Sequence, residues 1–193
     1  MKRICVFCGS SLGTRPAFAD AAQALGRELA SRGLELVYGG ASVGLMGLVA
    51  DAVLRAGGRA IGVIPQPLAS KEIAHEGLSE LHVVGSMHER KAKMSELADG
   101  FVTLPGGIGT FEETFEILTW AQLGLHRKPC GLLDVAGYYT PVVQLLDHAC
   151  AEGFVRRDHL SMLLVEETAA ALLDRFARYE PTYVAKWIER DET

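Results

Sequence analysis

Short apolar runs and longer amphipathic stretches alternate along this chain. The runs fall at Ile4 to Phe7, Leu34 to Tyr38, Ala60 to Ile64, Leu81 to Val84, Phe101 to Leu104, Cys130 to Leu133 and Met162 to Val165. Between them, the stretches around 17–31, 45–56, 87–98, 110–123, 139–151 and 167–178 repeat apolar residues at helical spacing. Strands alternating with helices in this way predict the α/β class, as a single doubly wound, mostly parallel, Rossmann-like sheet with helices on both faces. Several runs lack polar alternation, as strands covered on both sides do. No linker or internal repeat interrupts the pattern, so residues 1–180 read as one domain. Residues 181–193 form a tail in which Tyr183, Val184 and Trp187 stand at helical spacing, predicting a short packed helix.

In such a sheet, ligands bind beyond the carboxyl ends of the strands. Three glycine-bearing loops fall there: Gly9-Ser10-Ser11, Gly39-Gly40 through Gly44 and Gly47, and Pro105 to Thr110. The last is the most informative. From Thr103 the chain passes through Leu104-Pro105-Gly106-Gly107-Ile108-Gly109-Thr110 into a helix that opens with Phe111-Glu112-Glu113. Unpaired N–H groups in a glycine loop and at a helix start form an anion-binding concavity, which predicts a phosphate cradle with carboxylates beside it. The same residues allow a capping box, with Thr110 as cap and Glu113 as its partner, and the two readings are compatible. The dipole of the helix would keep Glu112 and Glu113 ionised.

Two other glycine patterns are weaker. Gly9-Ser10-Ser11-Leu12-Gly13 matches a nucleophile elbow, but Thr14, Arg15 and Pro16 intervene before the helix; the loop reads better as a backbone and hydroxyl contact through Ser10. The spacing after Tyr38 departs from the dinucleotide fingerprint, and no acid closes the strand that follows, which argues against a nicotinamide or flavin site.

Helical wheels supply the chemistry. In the helix near Met87, the residues Met87, Met94, Leu97 and Ala98 share one face, and Arg90 and Lys91 project from it while Glu89, Lys93 and Glu96 point away. Two cations on a core face need anionic partners, unless their stems snorkel to the rim. In the helix from Thr110, an apolar stripe of Phe111, Thr114, Phe115, Leu118 and Ala121 lies beside a row of Glu112, Glu116 and Thr119. Glu113 sits off that row. Trp120 and Leu123 on the acidic side suit an interface.

Composition narrows the partners. A net charge of −5 offers no basic face for a nucleic-acid polymer or an anionic membrane, and no apolar segment is long enough to span a bilayer. The apolar start ends too soon, at Gly9-Ser10-Ser11, for a secretory signal. Four cysteines are few for a disulfide scaffold, so a cytoplasmic protein is expected. Cys5 and Cys8, three apart on one strand, would face opposite ways at roughly 10 Å. With no other ligand motif, no metal site is predicted.

Pro105-Gly106-Gly107-Ile108-Gly109-Thr110-Phe111-Glu112-Glu113 matches P-G-G-x-G-T-x-x-E, and Met87-His88-Glu89-Arg90-Lys91 matches M-H-x-R-K. With Tyr38 to Gly47 and Thr119 to Gly124, these motifs resemble the LONELY GUY (LOG) family of cytokinin-activating phosphoribohydrolases, once described as lysine decarboxylases. The resemblance runs from the first strand to about Tyr179. It implies a nucleotide-binding catalytic domain that hydrolyses the N-glycosidic bond of a nucleoside 5′-monophosphate, a cytokinin nucleotide or AMP, to free base and ribose 5-phosphate. It implies no cofactor and a homodimer. The family's catalytic pair maps onto Arg90 and Glu113. Its substrate contacts map onto Glu72, Lys91, Gly107, Ile108, Gly109, Thr110, Glu112 and Thr119, with Gly106 and Ser10 completing the phosphate cradle. A carrier module that binds the nucleotide without hydrolysis is the alternative.

Overall fold

The computed structural model describes residues 1–69 and 74–181. Its strands are β1 (Arg3–Phe7), β2 (Glu35–Tyr38), β3 (Ala60–Pro65), β4 (Glu80–Val84), β5 (Gly100–Thr103), β6 (Cys130–Leu133) and β7 (Leu163–Glu166). They form one sheet in the order β4-β3-β2-β1-β5-β6-β7, and every neighbouring pair is parallel. The sheet is thus fully parallel among the described residues, where mostly parallel was expected. Strands β1, β3, β5 and β6 are buried almost throughout, which is why they read as unbroken apolar runs.

The helices are α1 (Pro16–Ser31), α2 (Gly44–Arg55), α3 (Gln66–Ala69), α4 (Met87–Leu97), α5 (Ile108–Gln122), α6 (Thr140–Ala151), α7 (Arg157–Leu160) and α8 (Ala169–Ala177). Alternating strand residues feed two cores. Ile4, Val6 and Cys8 join Leu25 and Leu29 of α1, Val49 and Val53 of α2 and Leu172 of α8 on one face. Cys5, Phe7 and Val37 join Met94 of α4, Ile117 and Leu118 of α5 and Leu146 of α6 on the other. Cys5 and Cys8 therefore lie on opposite faces, as their spacing requires, and both are free thiols. Each fully buried Leu or Val contributes roughly 1.5–3 kcal/mol, so the two layers hold the sheet from both sides.

The chain runs outward from β1 to β4 in one direction, then returns through α4 and runs from β5 to β7 in the other. The order reverses between β1 and β5, and the crevice beyond their carboxyl ends is the place for a ligand. Boundaries differ from expectation at that crevice. Leu104 lies just past β5, and α5 begins two residues before Thr110, so Gly107 rather than Thr110 occupies the cap position, without a side-chain cap. The expected capping box between Thr110 and Glu113 does not form. The tail expected to be a helix falls, from Thr182 onward, outside the described residues.

Gly44 joins the second glycine loop to the first. It opens α2 at φ +59°, and a Cβ there would come within 2.3 Å of the Ser10 backbone. Gly44→Ala would suffer both the left-handed conformation and the collision, a destabilisation of about 2–4 kcal/mol. Urea unfolding should show a clear drop in midpoint; a change below about 0.5 kcal/mol, ordinary for a surface position, would show that the two loops are not packed in this way.

Candidate active site

Gly9, two residues past β1, ties the loops of the crevice together. Its N–H donates to the Pro105 carbonyl and its own carbonyl accepts from the Leu45 N–H at the start of α2, both at 3.0 Å. The resulting cleft, about 470 Å³, falls within the size range of small-ligand sites. Gly107, Ile108, Gly109 and Thr110 line one side of it. Their N–H groups are the four that an α-helix leaves without intrahelical partners; the first helical bond runs from Phe111 N–H to the Gly107 carbonyl. An anion in the cleft would meet these donors and the positive end of the α5 dipole.

The cations come from α4. Ser86 caps this helix by accepting from the Glu89 N–H at 3.1 Å, and Glu89 reaches back to the Gly85 N–H at 2.7 Å. The helix start is thereby fixed, and Arg90, one turn in, is directed at the cleft. Its Nη1 donates to Glu113 Oε1 at 2.8 Å and its Nε to the Val63 carbonyl at 3.2 Å. Both side chains of this pair are nearly buried, 12% and 10% exposed. Gly39 makes room for the guanidinium: a Cβ at that position would lie 2.3 Å from Nη2 of Arg90. Lys91 turns to the outer side of α5, where its Nζ donates to Glu112 at 2.5 Å and to Glu116 at 3.0 Å. The wheel of α4 thus placed both cations correctly, and both have found carboxylates.

The wheel of α5 needs correction. Thr110, Glu113, Thr114, Ile117 and Leu118 face the sheet, whereas Phe115 is 37% exposed. The reason is polar: Thr114 Oγ1 lies 2.9 Å from Thr103 Oγ1 on β5 and donates to the Thr110 carbonyl at 2.7 Å. This rotation brings Glu113 inward onto Arg90. On the other core face of α4, Met94 and Ala98 are buried but Met87 is about half exposed on the cleft wall.

Electrostatics follow from that burial. Desolvation raises the Glu113 pKa above the ordinary carboxylate value, and the neighbouring Glu112 charge adds to it; Arg90 opposes both by charge and by its hydrogen bond, without cancelling them. The helix dipole was expected to keep Glu113 ionised; burial works against the dipole and moves the pKa upward. For Lys91, burial alone would lower the pKa, but the hydrogen bonds to Glu112 and Glu116 prevail and raise it.

Of the residues singled out from the sequence, the cleft collects Ser10, Arg90, Gly107, Ile108, Gly109, Thr110, Glu112 and Glu113. Gly106 sits behind the loop, in a smaller cavity of about 210 Å³ shared with Ser10 and Gly107. Lys91 stands at the rim through Glu112. Thr119 does not line the cleft: it is exposed, and its hydroxyl donates to the Phe115 carbonyl at 2.7 Å. Glu72 lies outside the described residues. Sequence reasoning missed Gly39's contact with Arg90, although the Gly39-Gly40 pair marked the loop. It also missed Met46, Ile64 and Leu68, which give the cleft an apolar wall. Tyr138 and Tyr139 went unnoticed as well; they hydrogen-bond to the glycine loop from behind. Among the described residues no three His, Cys, Asp or Glu side chains are grouped as a metal ion would need, and no helix is long and apolar enough to cross a membrane.

Comparison with known proteins identifies the family. The family model described as possible lysine decarboxylase matches residues 46–176. A cytokinin riboside 5′-monophosphate phosphoribohydrolase of Arabidopsis thaliana is 50% identical, the match covering 94% of this chain and 84% of that protein. Another, from Oryza sativa subsp. japonica, is 49% identical over 94% of this chain and 75% of its own. Among solved structures, the molybdenum cofactor carrier protein of Chlamydomonas reinhardtii shares the fold, with TM-score 0.70 at 22% identity, covering 92% of this chain and 96% of the carrier. The family model spans most of the sheet and both motif helices, and relatives of such identity extend over nearly the whole chain: this protein belongs to the LONELY GUY (LOG) family.

Proposed function

We propose that this protein hydrolyses the N-glycosidic bond of purine nucleoside 5′-monophosphates, both cytokinin riboside 5′-monophosphates and AMP, to free base and ribose 5-phosphate. One observation carries the reading: a buried carboxylate, Glu113, is held by Arg90 at 2.8 Å one turn from the unpaired N–H groups that open α5. The 5′-phosphate would sit on the N–H groups of Gly107 to Thr110, with the Ser10 hydroxyl beside it. This anchor leaves the ribose against the first turn of α5. As the bond from C1′ to the base nitrogen breaks, its electron pair leaves with the base and positive charge develops on the ribosyl centre. Glu113 stabilises that charge and accepts a proton from the water whose oxygen attacks C1′, while the departing base takes up a proton. Arg90 holds the carboxylate in place. Glu112, and Glu72 from outside the described residues, are assigned to the ribose hydroxyls or the base.

The apolar wall of Met46, Ile64 and Leu68 gives the base a hydrophobic surface. We also assign the protein to the cytoplasm as a homodimer. In support, its four cysteines are free thiols, and Leu123 and Leu125, 55% and 69% exposed at the end of α5, offer apolar surface to a second copy.

Incubation with AMP and with isopentenyladenosine monophosphate should release adenine and isopentenyladenine with ribose 5-phosphate, read by chromatography. Binding without release from either would refute hydrolysis and leave the carrier. Glu113→Ala and Arg90→Ala should each lower kcat at least 100-fold, the scale of a lost general base or electrostatic stabiliser. Arg90→Ala should also destabilise the fold by about 3 kcal/mol, since it leaves a buried carboxylate unpaired. A folded Glu113→Ala protein with more than about a tenth of wild-type kcat would rule out the role given to that side chain.

The pH dependence has a definite sign. The folded state holds the Glu113 proton more tightly than the unfolded chain does, so this residue's contribution to stability declines as pH rises through its folded pKa. Activity runs the other way, because the working form is the carboxylate. NMR titration of the Glu113 carboxyl carbon should give a midpoint above the ordinary 4.5, and kcat/KM should fall below that midpoint. A midpoint at or under 4.5 would contradict the burial argument.

A further inference from the structure

At the glycine loop three successive carbonyls are each held by a donor. Tyr139 Oη donates to the Leu104 carbonyl at 2.7 Å, Gly9 N–H to the Pro105 carbonyl at 3.0 Å, and Tyr138 Oη to the Gly106 carbonyl at 2.5 Å. The tyrosines follow the 3-10 turn Val135–Gly137 after β6, the strand beside β5. Asp134 fixes their position, accepting from the Tyr139 N–H and, at 3.0 Å, from the Thr140 hydroxyl. The turn contains Ala136 at φ 53°, a conformation that costs a non-glycine residue about 1 kcal/mol or more and persists only where the surroundings enforce it. Tyr138 is further wedged edge-on against Phe18 and against Tyr139, with ring centroids 5.5 and 5.0 Å apart.

The consequence follows from peptide geometry. No cis peptide bond occurs among the described residues, so the Gly106 carbonyl and the Gly107 N–H, which share one planar trans peptide, point in opposite directions. Tyr138 lines the rear cavity and not the cleft, while Gly107 lines both. Holding the Gly106 carbonyl toward Tyr138 therefore turns the Gly107 N–H toward the cleft. A glycine loop without that restraint could rotate this peptide freely, since neither flanking residue has a Cβ to resist it.

We propose that Tyr138 is a positioning residue for the phosphate: its hydroxyl, anchored through Asp134 and Tyr139, orients the Gly106–Gly107 peptide so that the Gly107 N–H is presented to the substrate's phosphate group. This inference rests on the reading of the cleft as a nucleoside monophosphate site. Tyr138 lines the rear cavity and not the cleft, so its effect on the substrate passes through the loop that presents the Gly107 N–H.

The test is Tyr138→Phe, which deletes only the hydroxyl, with titration calorimetry of the full chain against ribose 5-phosphate and, separately, adenine. Loss of one hydrogen-bonded restraint of about 1 kcal/mol predicts roughly fivefold weaker ribose 5-phosphate binding. Adenine affinity should stay unchanged, and KM for AMP should rise by a similar factor with kcat less affected. Tyr139→Phe, which frees a carbonyl whose following residue is Pro105 and so has no N–H to present, should leave ribose 5-phosphate affinity within twofold. Unaltered ribose 5-phosphate affinity in Tyr138→Phe would overturn the proposal. So would an equal loss for adenine, because that is the mark of general loosening. If the wild-type chain binds neither ribose 5-phosphate nor AMP, the reading of the cleft itself fails; wild-type binding with an unaffected Tyr138→Phe removes the positioning role alone.

Discussion

A guanidinium cannot be buried without anionic and hydrogen-bonding partners, because an unpaired charge at low dielectric costs several kcal/mol. Arg90 is so buried, and much of the crevice is arranged around it. Glu113 supplies the counter-charge, the Val63 carbonyl at the carboxyl end of β3 takes the Nε proton, and Gly39 at the end of β2 withholds a side chain where one would collide. The cap at Ser86 sets the rotation of α4, and the hydrogen bond between Thr103 and Thr114 sets that of α5. Four elements must therefore take their places together for one ion pair to form. The pair in turn defines where a reactive carboxylate stands relative to the start of α5.

The same constraint separates the two cations of the M-H-x-R-K motif. Arg90 points into the cleft, while Lys91, held by two carboxylates on the outer side of α5, has a raised pKa. A lysine that forms a Schiff base must give up its proton near neutral pH, which requires the opposite shift. Lys91 is thus held as the ammonium, the form opposite to the one a Schiff base needs. It fits a structural charge that holds Glu112 and Glu116 on α5.

The fold was legible because strands covered on both faces leave unbroken apolar runs, and every predicted run corresponds to an observed strand to within a residue or so at each end. The site was legible in part. Arg90 and Lys91 could be found because cations on a core face demand partners, and Glu113 because it stands one turn into a glycine-led helix. One local reading failed, and so did those that depended on contacts distant in sequence. Thr110 looked like a cap because Thr-x-x-Glu is a capping pattern, yet a glycine can occupy the cap position and leave no side-chain signal. Phe115 looked like core because it is apolar, but a threonine pair across β5 and α5 decided the rotation instead. Tyr138 and Tyr139 act through carbonyls more than thirty residues away, and nothing local in the sequence singles them out.

Glu113 and a bound phosphate make competing demands on one helix start. The N–H groups of Gly107 to Thr110 favour negative charge, and a carboxylate one turn further on already uses part of that field. Arg90 compensates at contact distance, and Lys91, paired with Glu112 and Glu116, offsets part of the repulsion that Glu112 adds. A phosphate dianion arriving at the loop would push the proton affinity of Glu113 higher still, beyond what burial has already done. For a group that must remove a proton from water, that is a gain: a carboxylate with raised pKa is the stronger base as long as it stays ionised at working pH. Arg90 ensures the second condition and burial the first, so the opposing influences on Glu113 are both needed for the chemistry assigned to it.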